Sequence, residues 1–235
     1  VHATVSFGEM KRVGLIGGLS WESTSSYYTM FHRITSETAA PWVQPRLLID
    51  SLDFSEIVTL QRLGDWDATG AILVDSARRL QDAGATVLGI GANTMHMNFD
   101  AVADAVTIPV VDIRDAVISE VEATGATSVS LLGTKYLMEN DFYSGYLEAR
   151  GIVVVKPTTD EVEELHSMIF TELTQGIVTD ESTIRFMTIA ANCRRRGGDV
   201  IGLCCTEFGM LVDERNAPWP FVDSTAAHVR ALLAY

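Results

Sequence analysis

Residues 87–94 read VLGIGANT and residues 200–207 read VIGLCCTE. Each is an apolar, β-branched run that ends in small residues and then polar ones. That pattern predicts a strand buried on both faces, followed at its carboxyl end by a loop placed to meet a ligand. Aligned at Ala92 and Cys205, the two copies lie 113 residues apart. A second pair, VGLIGG from Val13 and VSLLGT from Val129, lies 116 apart. Two pairs at nearly one spacing predict a duplicated α/β unit with a functional tip in each half. One tip carries a thiol at Cys205, and the other has only a methyl group at Ala92.

Working outward, strand-like runs recur at 12–16, 46–49, 86–90, 110–111, 128–132, 152–155 and 199–203. Helix-period segments fall between them, at 22–37, 66–83, 112–124, 140–149, 161–174 and 181–196. Strand alternating with helix predicts parallel sheets covered by helices on both faces. The expected architecture is therefore α/β: two similar parallel-sheet domains related by pseudo-twofold symmetry, with a site in the cleft between them. The tips at 17–18, 92–94, 133–134 and 205–207 should line that cleft. The first domain is expected to comprise 10–112 together with 212–235, the returning C-terminal segment. The second comprises 113–211. Residues 1–9 are read as a leader or remnant outside the fold.

Composition narrows the partners. The formal net charge of −14 argues against nucleic acid, because phosphate binding needs basic patches. Three cysteines, two of them adjacent, are too few for a disulfide framework and suit a reducing, cytoplasmic setting. No apolar run approaches the ~18–20 residues of a membrane span. No set of His, Cys, Asp and Glu has metal-ligand spacing. A G-x-S-x-G elbow is absent, and GLIGG at 14–18 lacks the full dinucleotide fingerprint. The glycines at 17 and 18 instead suit a tight strand-to-helix turn whose backbone N–H groups could meet an anion, with Ser20 as the helix N-cap.

Cys205 sits where a strand ends and a helical turn begins, a position that should lower its thiol pKa. Position alone leaves open a second reading, a buried core cysteine. Cys204 should point to the opposite side as inert core, and Cys193 should pack within a helix. Asn93 and Thr94 offer small donors and acceptors for a carboxylate or ammonium group. His96 could carry a proton, orient its neighbours, or be purely structural.

Five segments then follow one another in order: VGLIGGLSWEST at 13–24, ANTMH at 92–96, LLGTKYLMENDFY at 131–143, CCTEF at 204–208 and VDSTAAH at 222–228. Together they resemble the PLP-independent aspartate/glutamate racemase family over essentially the whole chain from Met10. The resemblance implies a site between two α/β domains, no cofactor, and a small acidic amino acid or dicarboxylate as ligand. It also implies a homodimer. In that family two cysteines flank the substrate α-carbon, one removing the α-proton and the other delivering a proton to the opposite face. Carried over by motif, Cys205 is one catalytic cysteine. Asn93, Thr94, Thr134 and Thr206 are expected around the substrate, as is Ser51 on weaker sequence grounds. Ala92 stands where the second cysteine belongs.

That substitution leaves three explanations. Ala92 is an engineered change, or a natural one with water or His96 relaying the proton on its face, or the mark of one-sided chemistry. Arylmalonate decarboxylases of the wider superfamily work with a single cysteine, since loss of CO2 itself creates the carbanion. The alternatives to a racemase are thus a single-cysteine, cofactor-free decarboxylase and a catalytically silent dicarboxylate-binding homologue.

Overall fold

The computed structural model describes residues 11–235 apart from 41 and 214, so the expected leader at 1–9 lies outside the described residues. The first half runs β1 (Arg12–Gly17), α1 (Trp21–Thr38), β2 (Arg46–Ser51), α2 (Phe54–Leu63), α3 (Trp66–Asp82), β3 (Val87–Ile90), α4 (Phe99–Asp104) and β4 (Val110–Val111). There follow α5 (Ile113–Ala123), β5 (Ser128–Leu132), α6 (Lys135–Glu139), α7 (Asp141–Glu148), β6 (Val153–Val155), α8 (Thr159–Thr171) and α9 (Asp180–Arg195). The chain closes with β7 (Val200–Leu203), β8 (Phe221–Asp223) and α10 (Ser224–Ala234).

The strands form two four-stranded sheets, ordered β2-β1-β3-β4 and β6-β5-β7-β8, and every pairing is parallel. The fold is α/β, and the two sheets share one strand order, which is consistent with the repeat visible in sequence. Val13 pairs with Val87 in the first sheet, and Val129 pairs with Val200 in the second. The central strands β3, β5 and β7 are buried at every position, which their continuous apolar runs require. Edge strand β2 carries Arg46, Asp50 and Ser51 at exposed or half-buried positions.

Helix starts are fixed by side chains that accept orphan backbone N–H groups. Asp53 caps α2, Asp65 caps α3, Asp112 caps α5, Thr134 caps α6 and Asp223 caps α10. Thr158 with Glu161, and Thr179 with Ser182, form reciprocal caps at α8 and α9. Among the described residues no helix is long and apolar enough to cross a membrane.

The C-terminal segment departs from expectation. Strand β8 pairs with β7, and Val212 and Val222 pack in the core of the second half rather than completing the first. Parallel pairing decides this: Ile201, Gly202 and Leu203 of β7 take Phe221, Val222 and Asp223 as neighbours. Only the helix beyond returns, with Val229 and Leu232 of α10 packing on Val13, Leu15, Tyr27 and Phe31. In counterpart, α5 leaves the first sheet and places Ile113, Val117 and Val121 in the second core.

Candidate active site

The first tip is shaped by backbone geometry. Gly18 has φ 70°, and a Cβ there would collide with the backbone N and O of Leu52, so only glycine lets β1 turn against the loop after β2. Two residues on, Ser20 has φ 141°, a conformation that L-residues with a Cβ rarely adopt. Its hydroxyl accepts from Ser23 N–H at 3.0 Å, capping α1, and donates to Glu207 Oε1 at 2.6 Å in the other half. The strained residue thus spans both halves.

Further bonds lock the remaining tips together. Ser23 Oγ donates to the Gly91 carbonyl at 2.8 Å and lies 3.0 Å from Thr206 Oγ1. Thr94 Oγ1 and Thr134 Oγ1 meet at 2.8 Å. Asn93 donates to Ser224 Oγ at 2.9 Å and accepts from Tyr143 OH at 3.0 Å, so its amide is held at both ends. Between the tips lies a cavity of about 480 Å³, counting its open mouth. Ala92, Asn93, Thr94, Thr134, Cys205 and Thr206 all line it, so six positions expected from sequence share one space.

Two expected residues are not brought there. Ser51 ends the edge strand β2, is exposed, and does not line the cavity. His96 also stays out of the lining. Its Nε2 accepts from Ile113 N–H at 3.1 Å, which leaves Nδ1 protonated to donate to the Ala92 carbonyl at 3.0 Å. Burial lowers its pKa to about 4. With both nitrogens committed, His96 fixes the backbone of the Ala92 tip and is not placed to relay a proton.

Cys205 donates its thiol proton to Glu207 Oε2 at 3.1 Å. Burial, and next the Glu207 charge, push its pKa well above the ordinary thiol value. The sequence expectation was the reverse. The turn after Cys205 is a 3₁₀ segment of only five residues, Thr206–Met210, and the sulfur faces a carboxylate instead of a cation. The resting sulfur is therefore a thiol with a proton acceptor in contact. Cys204, expected to face away as inert core, packs in the second core but also lines the cavity beside Cys205, and burial lifts its thiol to about 12. Cys193 is fully buried, with its thiol raised to about 11 mainly by burial.

The 205–207 tip brings Glu207 into the cleft as expected, but its contacts with Cys205 and Ser20 are not legible from motif roles. A signal exists for Glu207: one acid inside the apolar run CCTEFGML is buried only if partnered. The cavity wall on the first half comes from α2, through Phe54, Ile57 and Gln61, and on the second from Ile169 and Phe170 of α8. Phe54 and Phe170 stack across the cleft with centroids 6.4 Å apart and planes 9° from parallel.

The chain resembles known proteins along nearly its full length. Residues 16–232 match the family model for Asp/Glu/Hydantoin racemase. The crystal structure assigned to an Asp/Glu racemase from Yersinia pestis is 36% identical, with a TM-score of 0.85 and coverage of 96% of this chain and 99% of its own. An aspartate racemase homologue from Pyrococcus horikoshii OT3 is also 36% identical, with a TM-score of 0.83 and coverage of 96% and 98%. The broad specificity amino-acid racemase RacX of Bacillus subtilis (strain 168) is 20% identical over 170 residues, 72% of this chain and 73% of that protein. With the family model spanning both sheets and all four tips, the chain belongs to the Asp/Glu/Hydantoin racemase family.

Proposed function

We propose that the protein is a cofactor-independent racemase-type enzyme that works on one face of an amino acid α-carbon, with Cys205 as the acid/base group. The observation that carries this reading is the Cys205–Glu207 contact at 3.1 Å in the cavity that Ala92 also lines. Transfer of the thiol proton to Glu207 gives a thiolate, and the thiolate takes the α-proton. Hydroxyls of Ser23, Thr94, Thr134 and Thr206 lie around the same space to hold the carboxylate as it gains enediolate charge. Return of the proton from Cys205 restores the starting enantiomer. The Ala92 face offers a methyl group, which neither gives nor takes a proton, so inversion is slow.

Incubation in D2O with each enantiomer of a set of amino acids, followed by proton NMR, tests the reading. One enantiomer should lose its α-proton signal much faster than net racemisation proceeds, and Cys205→Ser should abolish the exchange. Equal exchange by wild type and Cys205→Ser would refute it. Cys205 with Glu207 in contact also fits one-sided decarboxylation, which needs one proton donor. Release of CO2 from malonates without amino-acid exchange would select that chemistry. Tight calorimetric binding with neither reaction would select the silent binding protein. A homodimer and a cytoplasmic location remain proposals, the first checked by sedimentation.

A further inference from the structure

The cavity treats the two ends of a ligand differently. One side presents hydroxyls and Glu207, the only residue of formal charge among the described residues that line it. The apolar part of the wall comes from Leu19, Phe54, Ile57, Met95, Ile169 and Phe170, and the remaining polar groups, the amides of Gln61 and Asn93, carry no charge. No Arg, Lys or His is among the lining residues. Lys135 and His166, on neighbouring elements, are engaged outside the cavity: Lys135 pairs with Glu163 at 3.3 Å, and His166 Nδ1 accepts from Lys135 N–H at 3.4 Å. Burial, with the charges of Lys135 and Arg62 acting on it, lowers the pKa of His166, which favours its neutral form.

An α-amino acid brings one ammonium and one carboxylate to any such site. The Cys205–Glu207 pair carries one negative charge whichever member holds the proton, so it can meet the ammonium, and the hydroxyl cluster can meet the carboxylate. A side-chain carboxylate would then add a second negative charge beside Glu207, against hydrocarbon and without a cation. Buried charges need a partner, so that ligand is disfavoured. An apolar side chain gains by covering the same wall.

Resting on the proposed α-proton chemistry, we infer that this cavity selects amino acids with an uncharged, apolar side chain, such as leucine or phenylalanine, over aspartate and glutamate. This reverses the acidic ligand expected from the family resemblance. Two readouts on the wild-type protein test it: α-deuterium exchange by NMR, and calorimetric binding of both enantiomers of leucine, phenylalanine, aspartate and glutamate. Leucine or phenylalanine should bind and exchange at least tenfold better than either acid. Phe54→Ala should weaken phenylalanine binding severalfold more than alanine binding. If the acids exchange and bind as well as the apolar amino acids or better, the specificity inference falls while the Cys205 chemistry stands. If nothing exchanges but the apolar amino acids bind preferentially, the specificity holds and the catalytic reading falls. Absence of binding by all four overturns the inference.

Discussion

Replacing Glu207 by Gln should move two properties of Cys205 in opposite directions. The carboxylate now accepts from the thiol at 3.1 Å and from Ser20 at 2.6 Å. A Gln amide has one oxygen acceptor and one NH2 donor. If the oxygen stays on Ser20, the NH2 faces the thiol, and a charge-assisted bond of about 1.5–3 kcal/mol is lost. That loss should appear as a lower urea midpoint. Removing the carboxylate also removes the proton acceptor, so α-proton exchange should fall by ~10²–10⁴, the usual contribution of a positioned general base. In activation free energy that is about 3–5 kcal/mol. The Glu207 charge is the second-largest cause of the raised Cys205 pKa, so its loss should acidify the thiol. Alkylation of Cys205 by iodoacetamide near neutral pH should therefore accelerate, with Cys205→Ser as the blank. Slower exchange together with faster alkylation is the signature of a base that also holds its partner protonated. Unchanged exchange, or alkylation that slows, would refute the dyad.

Ala92→Cys should raise net racemisation by ~10²–10⁴ by supplying an acid/base group on the second face, measured by chiral chromatography, and no gain would count against two-sided geometry. Gly18→Ala should destabilise the fold by about 3 kcal/mol or more in urea titration, since a Cβ both meets the Leu52 backbone and requires a positive φ. Buried His96 and His228 have pKa values lowered to about 4 and about 3, chiefly by burial. Their unfolded forms take up protons near 6.5, so the unfolded chain binds protons first as pH falls. Stability contributed by the neutral forms is complete above that value and drains away toward pH 4, by about 3 kcal/mol for His96 alone. Equilibrium unfolding at stepped pH should show this slope, and the two imidazole signals in NMR should stay in their neutral positions down to about pH 5. Titration of His96 or His228 near 6.5 in the folded protein would refute the assignment.

Much of the frame could be read from the chain because it is repetitive. The Val13/Val87 and Val129/Val200 pairings follow from two matched apolar runs in each half. The strand tips follow from where those runs stop. Helix α2 was not legible: its ten residues, Phe54–Leu63, follow a strand closely, and no helix was expected between 49 and 66. Its signals are an Asp53 cap and inward positions at Phe54, Ile57 and Gln61, spaced three and four apart. Because α2 supplies part of the cavity wall, missing it also concealed the apolar side of the site. The thiol pKa went astray for a different reason. Strand-to-helix position predicts a favourable dipole, but it cannot show that the next side chain but one, Glu207, folds back onto the sulfur. Likewise the strand-then-helix pattern from Phe221 reads as one returning unit, although the backbone bonds of β8 go to β7 and only α10 returns.

The exchanged helices α5 and α10 bear on how the molecule comes apart. Each sheet depends for part of its hydrophobic cover on a helix delivered by the last strand of the other, so neither half owns a complete set of contacts. Thermal denaturation should then be one concerted event, with a single calorimetric peak. A fragment ending before α10 would leave Tyr27 and Phe31 uncovered and invite aggregation.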